Sequence, residues 1–148
     1  MKVLLPVDGS ADSLAAVQYA LQLSQLGLLA SFVLVNVQPS ASLYEMVVAH
    51  DADVIARVRG DAGADQLAAA EALLEAAGVE YESEVAGGEP ETLLLELLEN
   101  YGCDAIMVGA RGLDHAASSG IGHVAHALLL HSAVPVTLVR QAPANEAE

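Results

Sequence analysis

Five short apolar runs, at residues 3–7, 31–37, 79–85, 105–108 and 134–140, alternate with longer segments whose apolar residues recur at helical spacing. A chain that reads strand, helix, strand, helix has few ways to bury both kinds of element. Each connection is long enough to carry a helix, so neighbouring strands run parallel and the helices cover both faces of one sheet. The unbroken apolar runs beginning at Val3 and Ala105 fit strands buried on both faces. The expected fold is α/β, a doubly wound five-stranded parallel sheet. Such sheets bind ligands outside the carboxyl ends of their strands, where the strand order reverses.

The helical segments have their own punctuation. Ala15, Tyr19 and Leu23, with Leu14 and Leu21 beside them, mark the first, and Ser10 or Asp12 is its expected N-cap. Leu67, Ala70, Leu74 and Ala77 mark the second, closed by Gly78, with Gly60 and Gly63 expected to interrupt any longer helix. Pro90 sits in the first turn of the third, whose stripe is Leu93, Leu94, Leu97 and Leu98. The last runs from about Gly122 to His131, with Val124, Leu128 and Ala127 inward. Leu43, Met46 and Val47 suggest a short helix or a cover within residues 40–63. Residues 1–140 read as one domain, and the polar tail 141–148, with Pro143, as disordered.

Charge removes whole classes of partner. Twenty acidic residues face only Lys2, Arg57, Arg59, Arg111 and Arg140, for a formal charge of −15. Nucleic acids and anionic membranes need a basic footprint, which this chain lacks. A small anion remains compatible if backbone donors or a metal ion offset the repulsion. The single cysteine, Cys103, has no internal disulfide partner, and it opens an apolar strand. A buried, inert thiol and a cytoplasmic location are expected.

The chemistry concentrates in one loop. Cys103-Asp104-Ala105-Ile106-Met107-Val108 reads as a buried strand, then breaks into Gly109-Ala110-Arg111-Gly112, and Gly122-His123-Val124 opens the last helix. Glycines let backbone N–H groups approach an anion, and a helix N-terminus adds unpaired donors of partial positive charge. The bland alternative is that these glycines only turn the chain out of its strand.

These residues carry a resemblance to the universal stress protein family over nearly the whole chain. Val3-Leu4-Leu5-Pro6-Val7-Asp8-Gly9-Ser10 resembles the family's first strand and turn, and Gly88-Glu89-Pro90 its third-helix entry. Asp104 to Gly112 is similar to the fourth strand and loop, and Pro135-Val136-Thr137-Leu138-Val139-Arg140 to the terminal strand. The resemblance implies a Rossmann-like sheet in the order 3-2-1-4-5 and a homodimer paired through the edge strand 134–140. It implies ATP as the ligand of those members that carry G-x2-G-x9-G-[S/T]; in a chain this acidic, ATP affinity is expected to depend on Mg²⁺. Gly109, Gly112 and Gly122 match that pattern in type and spacing, whereas His123 replaces the hydroxyl residue. By the same resemblance Asp8 and the backbone of Val37 would meet adenine, Pro6 would shape that wall, and Val124 would add a backbone donor. Arg111 is the nearby fixed positive charge.

Competing readings are weaker on the residues. An imidazole at His123 can donate one hydrogen bond, and Ser118 or Ser119 could stand in for the lost hydroxyl. Gly120-Ile121-Gly122-His123-Val124-Ala125 also spells a dinucleotide fingerprint, but a long loop precedes it and the next strand ends in Arg140 rather than an acid. His123 and His126 lie one turn apart, near His115 and His131, without Cys or Glu at ligand spacing, and read as exposed or cap-region side chains, as does the isolated His50. No nucleophile elbow accompanies Asp8-Gly9-Ser10, and no phosphate-loop lysine is available, since Lys2 is the sole lysine. The expectation is a stress-type protein that binds an adenine nucleotide without efficient turnover. The alternatives are a dimeric interaction protein without a nucleotide and, behind it, a slow ATP hydrolase.

Overall fold

The computed structural model describes residues 1–39, 52–112 and 121–141, with only the backbone described at positions 52, 53, 55, 56 and 59. The elements alternate as expected: β1 (Lys2–Pro6), α1 (Ala11–Gln25), β2 (Ser31–Gln38), α2 (Ala52–Ala77), β3 (Tyr81–Gly87), α3 (Pro90–Tyr101), β4 (Ala105–Gly109), α4 (His123–His131) and β5 (Val136–Val139). All five strands are parallel, in the order β3-β2-β1-β4-β5. The candidate cover at Leu43, Met46 and Val47, His50, the loop residues His115, Ser118 and Ser119, and tail residues 142–148 lie outside the described residues.

The pleat sorts the apolar residues into two cores. Val3, Leu5, Val7, Phe32 and Leu34 face α1 and α2, where Val17, Leu21, Leu67 and Leu74 meet them. Leu4, Val33, Val35, Ile106 and Val108 face α3 and α4, where Leu94, Leu97, Leu98, Ala125 and Leu128 close the other layer. Central strands therefore need apolar side chains in both phases, which is why their runs are unbroken.

Several boundaries and faces differ from the sequence expectation. The buried stripe of α1 is Ala16, Val17, Ala20 and Leu21, not one centred on Ala15, Tyr19 and Leu23; Tyr19 is 37% exposed. Two alanines let the helix approach the sheet closely, so small residues outrank large ones on this face. Helix α2 runs through Gly60 and Gly63 without a break, and Ala77 is exposed at its end. Strand β3 starts at Tyr81 rather than at Val79. The terminal strand is shorter than 134–140. Before it, Ser132 Oγ closes a local turn with both backbone groups of Val134, and after it the Gln141 N–H is taken by Asp12.

Candidate functional site

Strand order reverses between β1 and β4, and a cavity of about 640 Å³ opens at the carboxyl ends of those strands and of β2. The nine residues that the resemblance and the glycine loop assign to a nucleotide all line it. Pro6 and Asp8 come from the end of β1 and Val37 from β2. Gly109 ends β4, Arg111 and Gly112 follow it, and Gly122, His123 and Val124 open α4. The histidine side chain is exposed at the rim rather than buried in the crevice.

The loops meet because glycine lets them. A Cβ at Gly109 would fall 2.7 Å from the Asp12 carbonyl carbon and the Ser13 nitrogen, so the first turn of α1 rests directly on the end of β4. A Cβ at Gly112 would lie 2.8 Å from Asp8 Oδ2. Any side chain there would push the β4 loop off the turn after β1. In that turn the Asp8 carboxylate accepts from the Ser10 N–H at 2.9 Å, and Ser10 Oγ caps α1 by accepting from the Ser13 N–H at 3.2 Å. Ser10, not Asp12, is the cap.

Helix α4 begins differently. Its N-cap is Gly122, which brings no side chain, and among the described residues no side-chain cap bond forms. The Gly122 N–H itself is used: it donates to the Ala110 carbonyl at 2.7 Å and draws the helix start onto the β4 loop. The next three N–H groups, on His123, Val124 and Ala125, precede the first intrahelical donor, His126. All three residues line the cavity. An uncapped helix start of this kind offers oriented donors and the positive end of the helix dipole to an anion.

Fixed charge works against that field. Asp8 and Glu91 line the cavity, and the guanidinium of Arg111 is engaged elsewhere, its Nε 3.2 Å from Asp12 Oδ2. Asp12 is only 5% exposed, and its other oxygen accepts from the Gln141 N–H at 2.8 Å. The carboxylate thus anchors the β4 loop and the exit of β5 to α1. Cys103 is buried outside the cavity, and burial pushes its thiol pKa up, away from nucleophilic behaviour. His123, His126 and His131 are all exposed.

Sequence reasoning missed a group of amides. Asn36 is fully buried at the end of β2, and Gln38 and Gln66 line the cavity. Asn36 Nδ2 donates to the Val7 carbonyl at 2.8 Å and to Gln66 Oε1 at 2.6 Å, while Gln38 Nε2 donates to Asn36 Oδ1 at 2.7 Å. A signal was present: an Asn inside an apolar strand run demands partners, because a buried amide left unpaired is costly.

Comparison with known proteins gives a consistent answer. The model of the universal stress protein family matches residues 1–140. No curated protein matches the sequence. Among solved structures, a universal stress protein in complex with cAMP is 26% identical, with a TM-score of 0.70 over 96% of this chain and 98% of the other. A family member from Arabidopsis thaliana with AMP bound is 19% identical, with a TM-score of 0.69 over 100% and 99%. The universal stress protein from Archaeoglobus fulgidus in complex with dAMP is 16% identical, with a TM-score of 0.61 over 94% and 97%.

Proposed function

This chain belongs to the universal stress protein family, and we propose that its crevice binds an adenine nucleotide, ATP with Mg²⁺, as a ligand state that signals in a stress response. One observation carries the reading: an uncapped helix start opens into a cavity of about 640 Å³ at the switch point of the sheet. That three similar folds hold cAMP, AMP and dAMP supports an adenine nucleotide as the occupant. In this reading the base lies against Pro6, between Asp8 and the backbone of Val37. The ribose follows the Gly109–Gly112 turn, and the phosphates reach the N–H groups of His123 and Val124. Mg²⁺ offsets Asp8 and Glu91, since Arg111 is already paired with Asp12.

The protein binds rather than turns over. Rapid phosphoryl transfer wants a positioned cation and a residue that orients water. The sole lysine, Lys2, begins β1, at the opposite end of the strand from the cavity. The reading also includes a cytoplasmic protein whose β5 edge pairs with a second copy.

Titration calorimetry of nucleotide-stripped protein with ATP and Mg²⁺ tests it, alongside Gly122→Asp. Asp is a favoured N-cap residue, so this variant keeps the helix while filling its free donors and adding a negative charge. The expected result is saturable binding by the wild type and a loss of at least about 100-fold in the variant. A folded wild type that takes up no nucleotide overturns the reading in favour of an interaction protein.

A further inference from the structure

The three amides have a polarity that one backbone atom dictates. The Val7 carbonyl can only accept, so the Asn36 atom 2.8 Å from it is the nitrogen. The other end of Asn36 is then Oδ1, and the Gln38 atom 2.7 Å away must be Nε2. The Gln66 atom that meets Asn36 Nδ2 at 2.6 Å and Gln38 Nε2 at 3.2 Å must be an oxygen. Gln66 is left with Nε2 as an unengaged donor among the described residues. It has no freedom to flip, because flipping would set nitrogen against two nitrogens.

Gln66 belongs to the cavity wall at its Asp8 end. Its Cγ lies 3.2 Å from where a Cβ on Gly9 would fall, beside the turn that carries Asp8. We propose that Gln66 is a specificity-determining residue that donates from Nε2 to a ring nitrogen of the purine base. This rests on the nucleotide reading above. The chemistry narrows the partner: on adenine the exocyclic amine only donates, so the acceptors are ring nitrogens. Gln38, whose Oε1 is fixed as an acceptor by the same logic, suits the amine.

The test is a cycle between side chain and ligand atom, read by calorimetry with AMP and its 1-deaza, 3-deaza and 7-deaza analogues. Gln66→Met should weaken AMP about tenfold, the size of one well-placed hydrogen bond. One analogue should already bind the wild type about tenfold more weakly and lose nothing further in Gln66→Met. If Gln66→Met does not fold, Gln66→Glu keeps the oxygen that Asn36 and Gln38 need and runs the same cycle. Unchanged AMP affinity, or an equal loss for AMP and all three analogues, overturns the assignment while wild-type binding leaves the nucleotide reading standing. A wild type that binds neither AMP nor ATP overturns both.

Discussion

At the scale of single residues, His123 sets the quality of the phosphate end in the proposed nucleotide reading. It occupies the first helical position of α4, where a hydroxyl would reach the same ligand atoms as its own N–H. A net hydrogen bond contributes about 0.5–1.5 kcal/mol, so His123→Ser should tighten ATP about three- to tenfold in titration. A folded variant with unchanged affinity would show that the missing hydroxyl is no deficit. Much of this site was legible in the sequence, because Gly109, Gly112 and Gly122 announce themselves by spacing. Their individual tasks were not. Gly109 seats α1 and Gly112 admits Asp8, contacts between segments about 100 residues apart that no local pattern encodes. The Asn36–Gln38–Gln66 group was hidden for the same reason, since its partners lie on a strand and a helix separated by a segment of unreadable pattern.

Among elements, α2 shows how packing overrules propensity. Both its glycines are helical, yet only one is needed. Among the described residues a Cβ at Gly60 would meet nothing within 4 Å, whereas one at Gly63 would lie 2.5 Å from Val85 Cγ1 and 2.8 Å from Asn36 Oδ1. Gly60→Ala should therefore stabilise by about 0.5–1 kcal/mol, the ordinary gain of alanine in a helix. At Gly63 the same gain is set against overpacking of about 1–3 kcal/mol and damage to a buried amide, so Gly63→Ala should lower stability in denaturant titrations. The alternation of strands and helices was readable because βαβ units impose it. The stripe of α1 was not, because Ala16 and Ala20 are buried for closeness rather than for hydrophobicity.

Strand β5 carries a finer constraint on pairing. The Ile106 N–H donates to the Pro135 carbonyl and the Ala110 N–H to the Val139 carbonyl, so the odd-numbered residues of β5 turn their backbone toward β4. The even-numbered ones face the open edge. A proline at Thr137 would break the sheet internally, whereas Leu138→Pro removes an outward donor. In sedimentation experiments Leu138→Pro should shift a β5-paired dimer to monomers. A folded variant that stayed dimeric would locate the interface elsewhere.

For the molecule as a whole, titration reaches stability through two tyrosines. The Tyr81 hydroxyl donates to Glu75 at 2.8 Å and Tyr101 donates to Glu84. Each carboxylate bond holds its phenol protonated and pushes the pKa from 10.0 up to about 12. The native state thus retains protons that the unfolded chain releases. Its advantage is complete below pH 10 and lost as pH climbs through about 12. Denaturation midpoints should fall over that window, and Tyr101→Phe should flatten the fall.

The open start of α4 has a thermal consequence. Its N–H groups on His123, Val124 and Ala125, one of which a Ser or Asp cap would have taken, are left for whatever enters the crevice, so with a glycine cap the resting fold forgoes a few tenths of a kcal/mol. A ligand restores it by mass action, adding about 2.7 kcal/mol at a hundred times its dissociation constant. Under the proposed function, the melting temperature of this protein becomes a reading of its surroundings: heat resistance rises with the concentration of the nucleotide, and the fold reports its own occupancy.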